Sequence, residues 1–327
     1  MSDALLKVDG LATHFPVKKG LFSRTSHYIR AVDDVSFSLQ SGEALGLVGE
    51  SGCGKSTLAR TILTLEKATR GNMAFNDTNL RTASAAQLRR VRRDMQVVFQ
   101  DPFASLNPGM TIMELITEGL LVHGLIKKTD RQDKAIELLQ EVGLTSEMAT
   151  RFPHEFSGGQ RQRICIARAI SMRPKLLICD EAVSALDVSV QAQIMNLLMN
   201  LRQELHLAFL FISHDLGVVS HFCDRIAVMY LGKIVEIGTA EEIMTNPRHP
   251  YTKALLAAIP KVGTDPAESR RLPGEIPSAK NPPSGCPFHP RCRFAIETCH
   301  TTPPSLQPCK QASNHEASCH RRNESLQ

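Results

Sequence analysis

Tryptophan is absent from this sequence, and aromatic residues as a class are scarce. Phe, Tyr and Trp together account for 5% of the 327 residues. Proteins that bind single-stranded nucleic acid usually stack the bases on aromatic side chains, so the composition counts against a nucleic-acid partner. The arginine-rich stretch QLRRVRRD at residues 87–94 has no aromatic residue beside it and therefore predicts a solvated helix face. The net charge of +5 specifies no partner either.

Long hydrophobic runs are also absent. The sequence contains no stretch of about 18 apolar residues, so no membrane-spanning helix is expected. The N-terminal stretch MSDALLKVDG has an acidic residue near its start and no apolar centre, which argues against a signal peptide. A cytosolic protein is expected, in which the nine cysteines stay reduced. Cys165, Cys179 and Cys223 lie in apolar segments and are predicted to be small buried hydrophobic residues.

Strand and helix patterns alternate along most of the chain. Residues 3–48 show the period-2 alternation of an antiparallel sheet that leads into a buried strand, with a polar loop predicted at residues 16–28. Further strands, with helices between them, are predicted at residues 95–100, 175–181 and 208–215. This order predicts an α/β fold with a mostly parallel sheet. One domain is expected over residues 1–260, interrupted by a helical insertion at about 101–170.

The composition changes after residue 260. Proline, glycine, cysteine and histidine become frequent, and long apolar runs disappear. Residues 272–286, LPGEIPSAKNPPSGC, predict an extended linker into a small separate module. A second domain is therefore expected over residues 261–327.

A glycine-rich motif follows the predicted strand at residues 44–48. The stretch GESGCGKST matches G-x-x-x-x-G-K-[ST], and a predicted helix follows it, as this motif requires. Its glycines would let backbone N–H groups approach phosphate oxygens, which a side chain would block. Lys55 is expected to reach the β- and γ-phosphates of ATP, and Ser56 to ligate Mg²⁺. The predicted phosphate-site residues are Gly49, Glu50, Ser51, Gly52, Cys53, Gly54, Lys55, Ser56 and Thr57.

Two acidic residues end the predicted strand at residues 175–181. The apolar run LLIC is expected to place Asp180 at the exposed end of a buried strand, where its carboxylate can hold Mg²⁺ through water. Glu181 follows and can polarise the attacking water as a general base. Such a pair is common at strand ends, but together with the glycine-rich motif upstream it predicts a nucleoside triphosphatase.

The stretch FSGGQRQR at residues 156–163 resembles the signature motif of ATP-binding-cassette (ABC) ATPases. In that family the signature completes the nucleotide site of a second subunit and not the site of its own chain. The resemblance therefore implies two ATP molecules shared between two ATPase subunits. A hydroxyl and bare backbone at a helix start suit a γ-phosphate. The implied signature contacts are Ser157, Gly158, Gly159 and Gln160.

Other motifs of the ABC family appear in the same order. Gln100 in VVFQDP resembles the Q-loop glutamine, Asp187 in SALD the D-loop aspartate, and His214 in FISHD the switch histidine that contacts the γ-phosphate. The resemblance covers about residues 4–260 and implies a RecA-like core with an N-terminal antiparallel β subdomain and a helical subdomain. The implied catalytic residues are Glu181, His214 and Gln100, and the implied Mg²⁺ contacts are Ser56, Gln100 and Asp180.

Two details of the resemblance concern single positions. ABC ATPases usually stack the adenine on an aromatic residue before the first motif; Phe15 is the implied residue here, and Tyr28 is the alternative. Ala182 stands where many cassettes have proline after the glutamate. This changes backbone stiffness and no chemical group, so activity is expected to survive.

Several longer strings resemble the oligopeptide and dipeptide importer branch, and specifically its F-type ATPase. They are FQDPFASLNPGMTI, FPHEFSGGQ, VSALDVSVQAQI, NPRHPYTKALLAAIP and GEIPSAKNPPSGC. The resemblance implies a peripheral subunit at the cytoplasmic face of the inner membrane, paired with a paralogous D-type ATPase under two permease subunits. An extracytoplasmic substrate-binding protein would feed the complex. Residues 101–108 would lie near the permease contact.

Three other functions stay open at this point. The same motor serves nickel or other small cargo in this branch, and an ATPase does not touch the cargo. A soluble ABC ATPase of DNA repair or translation is a second alternative, although such proteins usually carry two cassettes or a long coiled coil. A non-enzymatic scaffold is a third, against which all the catalytic residues are present.

Five cysteines fall in the last 42 residues, separated by 5, 6, 9 and 9 residues. Zinc modules usually contain at least one tighter pair. In peptide-importer ATPases a tail of this kind resembles one that binds a [4Fe–4S] cluster, which accepts four thiolates. The implied ligands are Cys286, Cys292, Cys299 and Cys319, with Cys309 as the spare. Zinc stays an alternative because histidines are near, namely His289, His300, His315 and His320, and so does the absence of any metal. A metal would supply folding free energy to a segment poor in large apolar side chains.

Overall fold

The computed structural model describes residues 4–19, 24–259, 274–310 and 314–324. These residues form two compact units. The first unit takes its residues from 1–39, 44–82 and 213–327, and the second from 40–43 and 83–212. The domain boundary predicted at residue 260 lies outside the described residues.

The described strands and helices follow each other in alternation along most of the chain. The strands are β1 (Leu6–Lys19), β2 (Arg24–Leu39), β3 (Ala44–Val48), β4 (Arg70–Phe75), β5 (Thr78–Asn79), β6 (Met95–Val98), β7 (Leu176–Asp180), β8 (Ala208–Ser213), β9 (Arg225–Tyr230), β10 (Lys233–Thr239), β11 (Gln307–Pro308) and β12 (Glu316–Ala317). The helices are α1 (Lys55–Ile62), α2 (Ala85–Asp94), α3 (Pro102–Ser105), α4 (Ile112–Val122), α5 (Arg131–Glu141), α6 (Gly158–Ile170), α7 (Val188–Leu205), α8 (Leu216–Phe222), α9 (Ala240–Thr245), α10 (Pro250–Ala257) and α11 (Glu297–Thr301).

An antiparallel sheet in the order β2-β1-β4-β5 opens the first unit. In β1, Leu6 and Val8 are buried whereas Lys7 and Asp9 are exposed, so the strand alternates as its sequence predicts. The loop predicted at residues 16–28 is wrong, because β1 and β2 continue through the described part of it.

That error has a physical cause in the outer part of the β1–β2 hairpin. Main-chain pairing brings Pro16 opposite Tyr28, and both side chains are exposed, as is Ile29. A strand that buries neither face leaves no apolar alternation in its sequence. The pairing that makes this segment a strand is therefore invisible in its residue pattern.

The second sheet of the first unit is mixed. Its strands lie in the order β11-β12-β10-β9-β3, with β3 and β9 parallel and the other pairs antiparallel. Leu231 and Gly232 both adopt positive φ in the tight turn between β9 and β10. The C-terminal segment predicted as a separate module contributes β11 and β12 to this sheet, where Glu236 pairs with Ala317.

Three parallel strands, β8, β7 and β6, form the sheet of the second unit. Every residue of β7 and β8 is buried, as their continuous apolar runs predict. Between β6 and β7 the described elements are helical, as expected for residues 101–170. Thr111 and Glu114 form a capping box at the start of α4, and Gly143 at φ +70° follows the end of α5.

The arginine-rich stretch forms α2, which buries none of its residues, so the predicted solvated helix is confirmed. The three cysteines predicted to be buried, Cys165, Cys179 and Cys223, are 3%, 0% and 6% exposed. Within the described part of the chain, no helix has the length and apolar character needed to cross a membrane.

Candidate nucleotide-binding site

The glycine-rich motif forms a loop between β3 and α1 in the first unit. Gly54 adopts φ +112°, and a Cβ there would lie 2.1 Å from the Ala31 carbonyl oxygen. A Cβ on Gly49 would lie 2.2 Å from the Met229 carbonyl oxygen. These positions therefore exclude side chains, and the loop can present its backbone N–H groups at the start of a helix.

Lys55 is held inside this loop. Its side chain is largely buried, and Nζ donates hydrogen bonds to the carbonyl oxygens of Gly49 (2.8 Å) and Glu50 (3.1 Å). Ser56 and Thr57 follow in the first turn of α1 and are half-buried. The ammonium group therefore lies at the centre of the predicted phosphate cradle, where it can stabilise phosphate charge.

Cys53 contributes backbone and not side chain to the loop. Its carbonyl oxygen accepts a 2.8 Å hydrogen bond from the N–H of Gly232 in the β9–β10 turn. The thiol is 2% exposed, and burial raises its pKa although Lys55 opposes the shift. Ser51 and Gly52, in contrast, are exposed.

Glu50 receives contacts from two residues that the sequence analysis missed. Its backbone N–H donates a 2.9 Å hydrogen bond to the hydroxyl of Tyr251, 201 residues further along the chain. Its carboxylate accepts two hydrogen bonds, of 2.8 and 3.0 Å, from the guanidinium of Arg291, 241 residues away. No sequence motif connects these positions, so only the tertiary structure reveals the contacts.

His214 and the two adenine-stacking candidates also belong to the first unit. His214 directly follows β8 and is exposed. Phe15 is half-buried in β1 and pairs with Ile29, while Tyr28 in β2 is 52% exposed. Both aromatic residues lie on the same hairpin, and the choice between them stays open.

The acidic strand end belongs to the second unit. Asp180 is the last residue of β7, but it is 5% exposed, so the prediction of an exposed strand end is wrong. Glu181 adopts φ +51°, its N–H donates to the Ile212 carbonyl oxygen at 3.0 Å, and Nε2 of Gln100 donates to its carboxylate at 3.2 Å. The structure therefore brings two of the three predicted catalytic residues together.

The signature stretch begins α6. Ser157 caps the helix in a reciprocal pair with Gln160, with hydrogen bonds of 3.4 and 3.0 Å. Ser157 and Gly158 are exposed, and a Cβ on Gly159 would lie 2.6 Å from a methyl group of Val190. The exposed helix start presents a hydroxyl and backbone N–H groups, which suit an anion.

Asp187 caps α7. Its carboxylate accepts hydrogen bonds from the Val190 N–H (2.9 Å) and the Ser189 hydroxyl (2.8 Å). The bond from Val190 is the main reason that the pKa of Asp187 is lowered. The carboxylate is therefore ionised and exposed at the surface that the resemblance assigns to a subunit contact.

Four of the five C-terminal cysteines lie close together in the first unit. These four line one cavity together with Phe288, namely Cys286, Cys292, Cys299 and Cys319, whereas Cys309 does not line it. Burial, with a smaller contribution from the neighbouring thiols, raises the pKa of Cys286 to about 12. All nine cysteines are free thiols. Over the described residues, no group of three or more side chains adopts a geometry that could already hold a metal ion.

Comparisons with known proteins identify the family. Residues 32–184 match the model of the ABC transporter family, and residues 235–299 match the model of the oligopeptide/dipeptide transporter C-terminal region. A probable peptide ABC transporter ATP-binding protein, y4tS of Sinorhizobium fredii, is 53% identical over 94% of this chain and 88% of its own length. This chain belongs to the ABC transporter ATP-binding proteins. The resemblance found in the sequence is thereby confirmed.

Other relatives of this ABC transporter ATP-binding protein cover nearly the whole chain. The oligopeptide transport ATP-binding protein AppF of Bacillus subtilis is 49% identical over 97% of both chains. The di/tripeptide transport ATP-binding protein DppF of Pseudomonas aeruginosa is 45% identical over 97% of this chain and 98% of its own.

A solved structure shares the fold. It is the dimeric ATP-binding cassette MJ0796 in a post-hydrolysis state with ADP and Pi, which is 28% identical, covers 72% of this chain and 98% of its own, and has a TM-score of 0.64. The α/β fold with an antiparallel subdomain is thus that of an ABC ATPase.

Proposed function

We propose that this protein is the ATPase that drives import of di- and oligopeptides through a membrane ABC transporter. The observation that carries the proposal is similarity to peptide-transport ATPases along both parts of the chain. The cassette motifs account for the ATPase, and the match at residues 235–299 is to a region named for oligopeptide and dipeptide transporters. Relatives named for peptide transport are 45–53% identical over at least 94% of the chain.

The residues divide the chemistry of ATP hydrolysis between them. Lys55 and the backbone N–H groups of its loop bind the phosphates, and Ser56 and Asp180 are the groups suited to hold Mg²⁺. The metal ion supplies charge neutralisation at the phosphate oxygens when it is bound. Glu181 polarises the attacking water, and the hydrogen bond from Gln100 orients its carboxylate. His214 contributes a further polar group to the γ-phosphate.

A second ATPase subunit completes each site in this proposal. Ser157 and Asp187 are exposed and already lie at helix starts, so they are free to meet a partner without refolding. The partner is a paralogous D-type ATPase. The similar cassette MJ0796 forms a dimer, which is consistent with this arrangement.

The proposed complex also contains two permease subunits and receives cargo from an extracytoplasmic binding protein. This places the ATPase at the cytoplasmic face of the inner membrane. Phe103 in the segment 101–108 is 64% exposed, and the guanidinium of Arg161 lies 3.6 Å from the centre of its ring. A large apolar ring held in an exposed position suits a contact with the permease.

The test is transport by the assembled complex. The chain is produced with the D-type ATPase and the two permease subunits. The complex is placed in vesicles with ATP in the compartment that the ATPases face and the binding protein, with its cargo, on the other side. Labelled dipeptide or oligopeptide should accumulate with wild-type protein and fail to accumulate with Glu181→Gln. Accumulation of Ni²⁺ without peptide, or ATP hydrolysis by a chain that assembles with no membrane protein, would contradict the proposal.

We also propose that Cys286, Cys292, Cys299 and Cys319 hold a [4Fe–4S] cluster. The donor set fits, since four thiols line one cavity and Cys309 stands apart from it. Burial raises the pKa of Cys319 to about 11, so metal binding by this thiol would release its proton. A bound cluster would supply four iron–thiolate bonds that cross-link this segment.

Spectroscopy and metal analysis test the cluster. Protein purified without oxygen should show broad visible absorption and about four iron atoms per chain, the number that defines a [4Fe–4S] centre. Cys292→Ser should remove the absorption and Cys309→Ser, the matched control, should not. Zinc in place of iron, or loss of the metal in Cys309→Ser alone, would refute this ligand set.

A further inference from the structure

Glu50 is held in the phosphate loop by both backbone and side-chain hydrogen bonds. Each of its three polar groups has a partner: the carbonyl oxygen accepts from Lys55, the N–H donates to Tyr251, and the carboxylate accepts from Arg291. Two of these partners come from the C-terminal part of the chain. The conformation of the phosphate loop therefore depends on residues far from it in sequence.

Arg291 lies in a short turn between Cys286 and Cys292, two of the clustered cysteines. The turn spans His289–Arg291 and is tied to its neighbours by backbone hydrogen bonds, including 3.0 Å from His289 to the Cys286 carbonyl oxygen and 3.2 Å from Cys292 to that of His289. The backbone of Arg291 is thus held between Cys286 and Cys292, two of the cysteines that line the cavity.

The ion pair between Arg291 and Glu50 is shielded from water. The Arg291 side chain is 4% exposed and that of Glu50 is 22% exposed. The two parallel hydrogen bonds, of 2.8 and 3.0 Å, use the planar fork that lysine lacks. Removal of either partner would leave a poorly solvated charge, so the two residues should act as one unit.

A second contact runs beside the first. Phe288, 2% exposed, packs its ring 5.3 Å from Tyr230 and 5.4 Å from Tyr251, centre to centre. The hydroxyl of Tyr251 is the group that meets the Glu50 N–H. Two residues of this segment therefore influence Glu50. Arg291 does so through the ion pair, and Phe288 does so through its packing against Tyr251.

We infer that Arg291 is a positioning residue of the ATP site, through which the cysteine-rich segment sets the conformation of the phosphate loop and the affinity for ATP. The Arg291 side chain holds the Glu50 carboxylate, and this fixes the carbonyl group that orients Lys55. The inference rests on the assignment of residues 49–57 to the ATP phosphates and not on the transported cargo.

The test compares Arg291→Gln and Glu50→Gln with the matched control Arg293→Gln, an exposed arginine two residues away. ATP affinity is measured with a fluorescent ATP analogue on the full chain, and KM and kcat are measured in the assembled transporter. Each of the first two variants should weaken ATP affinity and raise KM about tenfold, the loss expected from one charged hydrogen-bonded pair. The kcat should change less than about twofold, because the reacting groups are untouched. The control should match wild type.

The double variant separates positioning from general damage. If the two residues act through each other, Arg291→Gln with Glu50→Gln should bind ATP no more weakly than either single variant. Arg291→Lys should recover only part of the affinity, since it keeps the charge and loses the fork. If Arg291→Gln folds poorly, Glu50→Gln still tests the link, because it breaks the same ion pair without changing the sequence of the C-terminal segment.

Unchanged ATP affinity in Glu50→Gln, or multiplicative effects in the double variant, would overturn the inference. A fall in thermal stability with unchanged KM would also overturn it, since it would show a merely structural role. Absence of wild-type transport would instead count against the proposed function, so the two failures are distinguishable.

Discussion

Acidification is expected to destabilise the first unit through His249. This residue is 1% exposed, and its Nδ1 accepts a 3.0 Å hydrogen bond from the Tyr251 N–H at the start of α10. Burial lowers the pKa of His249 from 6.5 to about 4, although the nearby Glu236 carboxylate opposes the shift. Protonation of Nδ1 would also remove the acceptor that Tyr251 uses.

The size of the effect follows from the difference in pKa between the folded and unfolded chain. Because the folded-state pKa is depressed, the stabilising contribution of neutral His249 is complete above pH 6.5 and is lost as the pH falls toward about 4. Each pH unit below the unfolded pKa costs about 1.4 kcal/mol of unfolding free energy. At pH 5 the loss attributable to this one imidazole is therefore about 2 kcal/mol.

The variant His249→Asn isolates this contribution. Asparagine can still accept the Tyr251 N–H as a helix cap but does not titrate. The protein's three tyrosines, Tyr28, Tyr230 and Tyr251, all belong to the first unit, so tyrosine fluorescence during urea unfolding reports on that unit without interference from tryptophan. Between pH 7.5 and pH 5, wild type should lose about 2 kcal/mol more unfolding free energy than the variant. Titrating groups remote from His249 affect both proteins alike and cancel in the difference, whereas Glu236 and the His315 paired with it are coupled to this imidazole.

His221→Asn serves as the matched control, because His221 is exposed on α8. It should retain the wild-type dependence on pH. An equal loss of stability in wild type and His249→Asn would refute the reasoning that burial and the hydrogen bond to Tyr251 keep this imidazole neutral.

Two further outcomes are expected. Gly54→Ala should weaken ATP binding by more than about tenfold, because its Cβ would lie 2.1 Å from the Ala31 carbonyl oxygen. The control is Gly42→Ala, which is also at a positive φ but has nothing within 4 Å of the added Cβ, so it should lose stability while ATP binding stays near wild type. Equal ATP binding in the two variants would contradict this prediction. Glu181→Gln should lower kcat of ATP hydrolysis by about 10²–10⁴-fold, the usual contribution of a general base, with ATP binding nearly unchanged; hydrolysis at the wild-type rate would remove Glu181 from that role.

The nucleotide motifs were predictable because their chemistry is local. A phosphate cradle needs several consecutive backbone N–H groups and a lysine at a set distance, so its residues are contiguous at 49–57 and visible in one chain. The buried strand β7 and the helices α4 and α5 were predictable for a related reason. One or both faces of each element are apolar, so the spacing of apolar residues along the sequence indicates the type of element. The family followed from several such motifs in a fixed order.

The sequence by itself therefore determined the family, the phosphate loop, the acidic strand end and the four clustered cysteines. Only the tertiary structure decided that residues 16–19 and 24–28 form paired strands, that Asp180 is buried, and that Arg291 and Tyr251 hold Glu50. The physical reason is the same in each case. Strand pairing, burial and the ion pair between residues 241 positions apart all depend on contacts between segments that are distant in sequence. Such contacts leave no periodic or contiguous pattern in the residues.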